Sequence, residues 1–301
     1  MKIGYIGLGK MGLNMVERLI EKKHQVVAFD RNEAAVKTAA GLGAQTAGSL
    51  KDLALALEAP RLVWIMVPYH AVDSVLLEIG PFLAKGDLVI DGGNSPYKHS
   101  IRRAGELKLR GIDFLDAGVS GGPGGARSGA CIMVGGRKEV FQKTEGLFRD
   151  LAADKAWLYT GPSGSGHFVK MVHNGIEYGM MQALAEGFSV LKSSSFPLEL
   201  SRIADLYCHR SVIESRLVEW LRQAYERFGD DLPSVIGSAA QSGEAMWTVE
   251  AAREFGVEVP VIRDSLAFRL ESQKKPSYTG RVLSALRHEF GGHDATEKRK
   301  Q

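Results

Sequence analysis

Short runs of β-branched and aliphatic residues open the chain, separated by longer stretches in which apolar side chains recur every three or four positions. Ile3 to Ile6, Gln25 to Phe29, Leu62 to Val67, Leu88 to Ile90, Asp113 to Asp116, Cys131 to Val134 and Trp157 to Tyr159 read as strands. Gly12 to Lys22 and Ser95 to Arg110 read as helices among them. This alternation predicts a doubly wound parallel sheet with helices on its faces. From about Gly164 strand runs become rare, and helical periodicity continues through Phe290. The breaker-rich Gly161-Pro162-Ser163-Gly164-Ser165-Gly166 marks the change. The expected organisation is therefore an α/β unit over residues 1–162 and an all-α unit over 163–301. The polar end, His293 to Gln301, is expected to fray.

A length of 301 residues suits two domains. With 45% apolar and 24% charged residues, the composition argues against disorder, coiled coil and collagen-like sequence. The 38 basic and 35 acidic residues leave +3, without the concentrated positive stripe that a phosphate backbone requires, so no nucleic-acid partner is expected. No run of about 18 apolar residues suggests a membrane span. The strand-like run starting at Met1-Lys2-Ile3 makes a secretion signal unexpected. Cys131 and Cys208 show neither metal-ligand nor redox spacing. Two reduced thiols in a cytoplasmic protein are the expectation.

Gly7-Leu8-Gly9-Lys10-Met11-Gly12 lies between the first strand and the first helix, the context that the G-x-G-x-x-G fingerprint of a Rossmann-type dinucleotide site requires. The first glycine permits the turn, the second lets a pyrophosphate approach, and the third lets helix and strand pack. Asp30 closes the second strand, where an acid would accept bonds from the adenosine ribose hydroxyls and favour NAD. Arg31 follows and could instead pair with the 2′-phosphate of NADP. Asp30-Arg31-Asn32 also has the composition of an ordinary helix-capping turn.

In the second half, Phe168 to Leu184 places Lys170, His173, Asn174 and Glu177 at i, i+3, i+4 and i+7, on one helical face. Lys170 and Glu177 are the only formal charges between residues 168 and 185. A solvated face or a buried structural ion pair would account for them. So would a cleft in which desolvation disfavours the ammonium, leaving the lysine to act as a base and the glutamate as an acid. Two further loops, Asp91-Gly92-Gly93-Asn94-Ser95 and Ser120-Gly121-Gly122-Pro123-Gly124-Gly125, follow strand runs. Doubly wound folds bind ligands at such carboxyl ends. The glycines there could cradle an anion, and Asn94 and Ser120 could bond hydroxyls.

Together these residues resemble the 6-phosphogluconate dehydrogenases of the β-hydroxyacid dehydrogenase superfamily. The resemblance spans nearly the whole chain and is most specific in Gly166-His167-Phe168-Val169-Lys170-Met171-Val172-His173-Asn174-Gly175-Ile176-Glu177-Tyr178. It extends to Val119-Ser120-Gly121-Gly122, Gly125-Ala126-Arg127 and the terminal Arg287-His288-Glu289-Phe290-Gly291-Gly292-His293. Relatives acting on 3-hydroxyisobutyrate or tartronate semialdehyde typically have asparagine where His173 stands.

The resemblance implies oxidative decarboxylation of 6-phosphogluconate with NAD or NADP and no metal. Lys170 would be the general base and Glu177 the general acid. Asn94, Ser120, Gly121, Gly122, His173 and Asn174 would hold the carboxylate and hydroxyls, and Tyr178, Arg269, Arg287 and His293 the phosphate. Gly7 to Gly12, Asp30, Arg31, Asn32, Asn94 and Val67-Pro68-Tyr69 would contact the dinucleotide, with Met11 near the nicotinamide. It further implies a homodimer or homotetramer whose tail completes a neighbouring active site. The chain departs from the pattern at Met246, where the family has a phosphate-binding lysine, at Pro123-Gly124 in place of paired acids, and at Met180 in place of an aspartate. Alternative readings are a dehydrogenase for an unphosphorylated β-hydroxyacid, to which Met246 points, and a non-catalytic dinucleotide-sensing protein.

Overall fold

A computed structural model describes residues 1–296. The chain divides into two compact units, Met1–Met171 and a second starting at Val172. In the first, β1 (Lys2–Ile6), α1 (Lys10–Glu21), β2 (Gln25–Phe29), α2 (Glu33–Gly41), β3 (Gln45–Thr46), α3 (Leu50–Leu55), β4 (Leu62–Ile65), α4 (Tyr69–Ile79), β5 (Leu88–Asp91) and α5 (Tyr97–Lys108) alternate. They are followed by β6 (Asp113–Ser120), α6 (Gly122–Ser128), β7 (Ala130–Gly136), α7 (Lys138–Leu151) and β8 (Ala152–Gly161).

The eight strands form one sheet in the order β3-β2-β1-β4-β5-β6-β7-β8. Strand order reverses between β1 and β4, which is where such sheets open a crevice at their carboxyl ends. Side chains alternate across the sheet. Ile3, Tyr5, Trp64 and Ile90 pack with Met15, Leu19, Leu147 and Phe148 on one face. Ile6, Val63, Ile65 and Val89 pack with Leu53, Val72 and Leu107 on the other. Burial on both faces explains why these strands read as nearly unbroken apolar runs.

The doubly wound sheet contains one antiparallel pair, β6 with β7. Their connection through the seven-residue α6 is shorter than the dozen or so residues that a parallel crossover needs. The same segment corrects the expected loop at Gly122–Gly125, which is helical: Pro123 suits a first helical turn, and Gly121 precedes it at φ 124.

The helix α8 (Ser165–Ser193) runs across the division between the units. Beyond it lie α9 (Leu200–Tyr207), α10 (Arg216–Phe228), α11 (Glu244–Glu254), α12 (Pro260–Ser272) and α13 (Tyr278–Gly291). Met181, Phe188, Leu200, Leu221, Tyr225, Leu283 and Leu286 are part of the core of this helical unit. Among the described residues no helix is long and apolar enough to cross a membrane.

Candidate functional site

At the β1–α1 turn, the three glycines meet different surroundings. Gly7 has φ +100, and a Cβ there would run into the carbonyl oxygen of Met66. A Cβ on Gly12 would run into the carbonyl oxygen of Gly7, whereas one on Gly9 would meet nothing within 4 Å. α1 starts at Lys10 with Gly9 as its N-cap, and no side chain caps it. Its first N–H groups and the positive end of its dipole therefore face the turn. An open glycine beside an uncapped helix end fits the pyrophosphate of a dinucleotide.

Asp30 is built into the turn: its Oδ2 accepts from the Leu8 N–H at 2.6 Å and its Oδ1 from the Asn32 N–H at 2.7 Å. Asn32 in turn caps α2 through the Ala34 N–H. A carboxylate has about four acceptor positions, so these bonds leave Asp30 capacity for ribose hydroxyls. The Arg31 side chain is 80% exposed, with only a 4.0 Å ion pair to Glu78, the kind of surface contact that contributes little.

Val67-Pro68-Tyr69 leads from β4 into α4, and Asp91 to Ser95 leads from β5. The two segments approach closely, since a Cβ on Gly93 would lie 2.7 Å from the Val67 carbonyl oxygen. The Asp91 carboxylate accepts from the Gly93 N–H at 3.1 Å and from Ser95 Oγ at 2.8 Å. Arg103 of α5, absent from the expected site, bonds Asp91, Ser95, Tyr69 and Asp73. Its signal lay in the sequence: with Ser100 and Leu107 it occupies the buried stripe of α5, and a charge there must find partners.

Ser120 ends β6, while Gly121 and Gly122 (φ 124 and 62) turn the chain into α6. Arg127 of α6 holds α1 through Glu17 and Glu21. Further back on β6, Asp116 is fully buried and accepts from the N–H groups of Gly164 at 2.6 Å and His167 at 2.9 Å. The residue before α8 is Gly164, which has no side-chain oxygen, so Asp116 does from the sheet what an N-cap residue normally does. The helix lies so close to β6 that a Cβ on Gly118 would collide with Cβ of Lys170. Lys170 itself is 7% exposed. Sequence reading missed Asp116 because an acid in a strand run looks like a strand end.

In the helical unit, His173 Nδ1 lies 2.9 Å from Asn174 Oδ1 and 3.8 Å from Glu177 Oε2. The continuity of α8 keeps Lys170, His173, Asn174 and Glu177 on one face. The Arg269 guanidinium stands 3.4 Å from the centroid of the Tyr178 ring. Arg269 is 2% exposed, and burial pushes it down to about 10, with the charge of Arg287 acting in the same direction. Burial also holds Arg287 below its ordinary value. Arg269 stays charged at neutral pH; Glu177 acts on both arginines and Glu244 on Arg287, and two neighbouring guanidiniums suit an anion. After α13, Gly292 turns left-handed (φ 61), and the His293 ring lies 6.3 Å from that of Phe290. Ile236 N–H donates to the Ala295 carbonyl at 2.7 Å. Met246 is exposed on α11.

Residues 2–161 match the family model described as the NAD binding domain of 6-phosphogluconate dehydrogenase, and residues 166–299 match that of the 6-phosphogluconate dehydrogenase C-terminal domain. The chain is 49% identical over 299 residues to the Bacillus subtilis protein named "Putative 6-phosphogluconate dehydrogenase YqeC", covering 99% of this chain and 100% of the relative. It is 40% identical over 300 residues to the NAD(+)-dependent, decarboxylating 6-phosphogluconate dehydrogenase of Haloferax volcanii, covering 99% of each. Among solved structures, Plasmodium falciparum 6-phosphogluconate dehydrogenase, described as apo, with NADP+ and with 6-phosphogluconate, aligns with a TM-score of 0.82 at 28% identity. That alignment covers all of this chain and 67% of the other.

Proposed function

The chain belongs to the 6-phosphogluconate dehydrogenase family, and from that premise we propose that it oxidatively decarboxylates 6-phosphogluconate to ribulose 5-phosphate and carbon dioxide. The observation that carries this reading is α8, a helix whose one polar face bears Lys170, His173, Asn174 and Glu177, with Lys170 buried against β6. Gly7 to Gly12 and Asp30 would hold the dinucleotide, which when bound would supply the hydride acceptor for C3 of the sugar acid. Neutral Lys170 accepts the C3 hydroxyl proton as that hydride leaves. Its ammonium then returns the proton to the 3-keto oxygen as the C1–C2 bond breaks and carbon dioxide departs, the bonding electrons forming the enediol. Glu177 supplies the proton that converts the enediol to the ketose.

Asn94, Ser120, Gly121, Gly122, His173 and Asn174 hold the carboxylate and hydroxyls in this reading. Tyr178, Arg269 and Arg287 hold the phosphate, joined by His293 from the tail of a neighbouring subunit in a dimer or tetramer. Asp30 favours NAD, and the naming of the Haloferax relative as NAD(+)-dependent supports that choice.

The test incubates purified protein with 6-phosphogluconate and either NAD or NADP, following reduced nicotinamide and carbon dioxide, with 3-hydroxyisobutyrate as the comparison substrate. Both products should form with 6-phosphogluconate, faster with NAD. Lys170→Met should lower kcat by about 10³-fold while dinucleotide still binds. A near-normal rate in that variant would remove Lys170 from the chemistry.

A further inference from the structure

Arg103 has no part in the proton transfers above, yet its guanidinium is wholly enclosed, at 0% exposure. Every bond it donates goes to a segment bordering the carboxyl edge of the sheet. Nε donates to Asp73 Oδ1 at 2.7 Å and Nη2 to the Tyr69 carbonyl at 3.0 Å, both on α4. Nη1 donates to Asp91 Oδ2 at 3.1 Å and Ser95 Oγ at 3.0 Å, the two ends of the loop after β5. Ser95 Oγ also donates to Asp91, closing a triangle around the loop. Between the bonded groups, Gly93 lies against the Val67 carbonyl, so the two segments touch as well as share the arginine.

Packing alone would be served by an apolar side chain, because an enclosed charge is unfavourable unless fully paired. What a guanidinium adds is a planar fork that fixes several acceptors at set angles, which the point charge of a lysine cannot do. The tied segments include Tyr69 and Asn94. None of its bonds reaches Asp30, which lies at the adenosine end of a dinucleotide bound across the sheet edge.

We propose that Arg103 is a positioning residue that joins the turn after β4 and the loop after β5 into one platform, setting Tyr69 and Asn94 against the nicotinamide half of the dinucleotide while the adenosine half binds without it. The proposal rests on the dinucleotide reading of the sheet unit and not on the identity of the sugar acid.

The test compares the affinity of the full-length protein for NAD with its affinity for ADP-ribose, which lacks the nicotinamide, in wild type, Arg103→Lys and Ser95→Ala. NADP and 2′-phospho-ADP-ribose are substituted if wild type binds NADP more tightly. Arg103→Lys should weaken NAD about tenfold and leave ADP-ribose within about twofold, with kcat falling further than the KM change accounts for. Ser95→Ala should shift the same ratio about threefold, and it decides the matter if Arg103→Lys does not fold. A purely structural role would weaken both ligands together. That result, or a ratio at or below the wild-type value, overturns the proposal. Wild type that binds NAD but does not turn over 6-phosphogluconate would overturn the proposed reaction and leave the ratio test standing; wild type that binds neither dinucleotide would overturn both.

Discussion

Gly9 and Gly12 stand three positions apart in one turn yet face opposite constraints. Gly9 has ordinary backbone angles (φ −69, ψ −170) and open space where a side chain would project. The carbonyl of Gly7 occupies that space at Gly12. Gly9→Ala should therefore keep stability within about 1 kcal/mol of wild type and abolish tight dinucleotide binding by filling the path of the pyrophosphate. Gly12→Ala forces a backbone shift and should destabilise by about 1–3 kcal/mol. Urea denaturation alongside dinucleotide titration separates the two, and equal loss of stability would contradict the geometry. The glycine spacing was readable from sequence because the turn, the helix start and the Gly12–Gly7 contact are local, although Gly7 also meets Met66 of a distant segment. Arg103 and Asp116 were not read, because their partners are contributed by other elements: Arg103 pairs with acids on α4 and β5, and Asp116 caps a helix 48 residues further on.

Between elements, the clearest electrostatic link joins α4 to α5. Hydrogen bonding from Arg103, with a second bond from Arg102, holds the Asp73 carboxyl down to about 2. Asp73 is 48% exposed, so solvent screens much of this interaction. The ordinary carboxylate value of about 3.9 applies in the unfolded chain, so the folded protein favours the ionised form. That contribution is fully present above about pH 4 and is lost as pH falls towards 2. Asp73→Asn should accordingly be less stable than wild type at pH 7, with the gap closing between about pH 4 and pH 2 in urea unfolding curves. A pH-independent gap would show that packing and not charge is at stake. β6 extends past the expected end at Asp116 for a related reason. Asp116 and Gly118 look like strand breakers, but β6 runs on to Ser120 because the acid bonds the start of α8 and the glycine admits Lys170.

For the molecule as a whole, the sheet unit and the helical unit each enclose a core of their own. The last described residues serve that second core as well as any ligand. Arg287 lies inside α13, beside the buried Leu286, and Ala295 is buried with its carbonyl accepting from Ile236. Ending the chain after Gly292 should thus lower stability by about 1–3 kcal/mol through the orphaned N–H and the lost burial, besides any effect on substrate. His293→Ala isolates the proposed phosphate role: KM for 6-phosphogluconate should rise several-fold, with KM for the dinucleotide and the unfolding midpoint unchanged. A parallel rise in both Michaelis constants would count against His293 as a phosphate contact.

The sequence by itself determined the strand–helix alternation, the dinucleotide turn, the polar face of α8 and the family, because each is written in residues close together along the chain. Only the tertiary structure decided that β7 runs antiparallel, that Asp116 caps α8, and that one enclosed arginine ties two loops together. Those depend on which distant groups meet, and a buried charge or an uncapped helix end specifies that a partner is needed without specifying which.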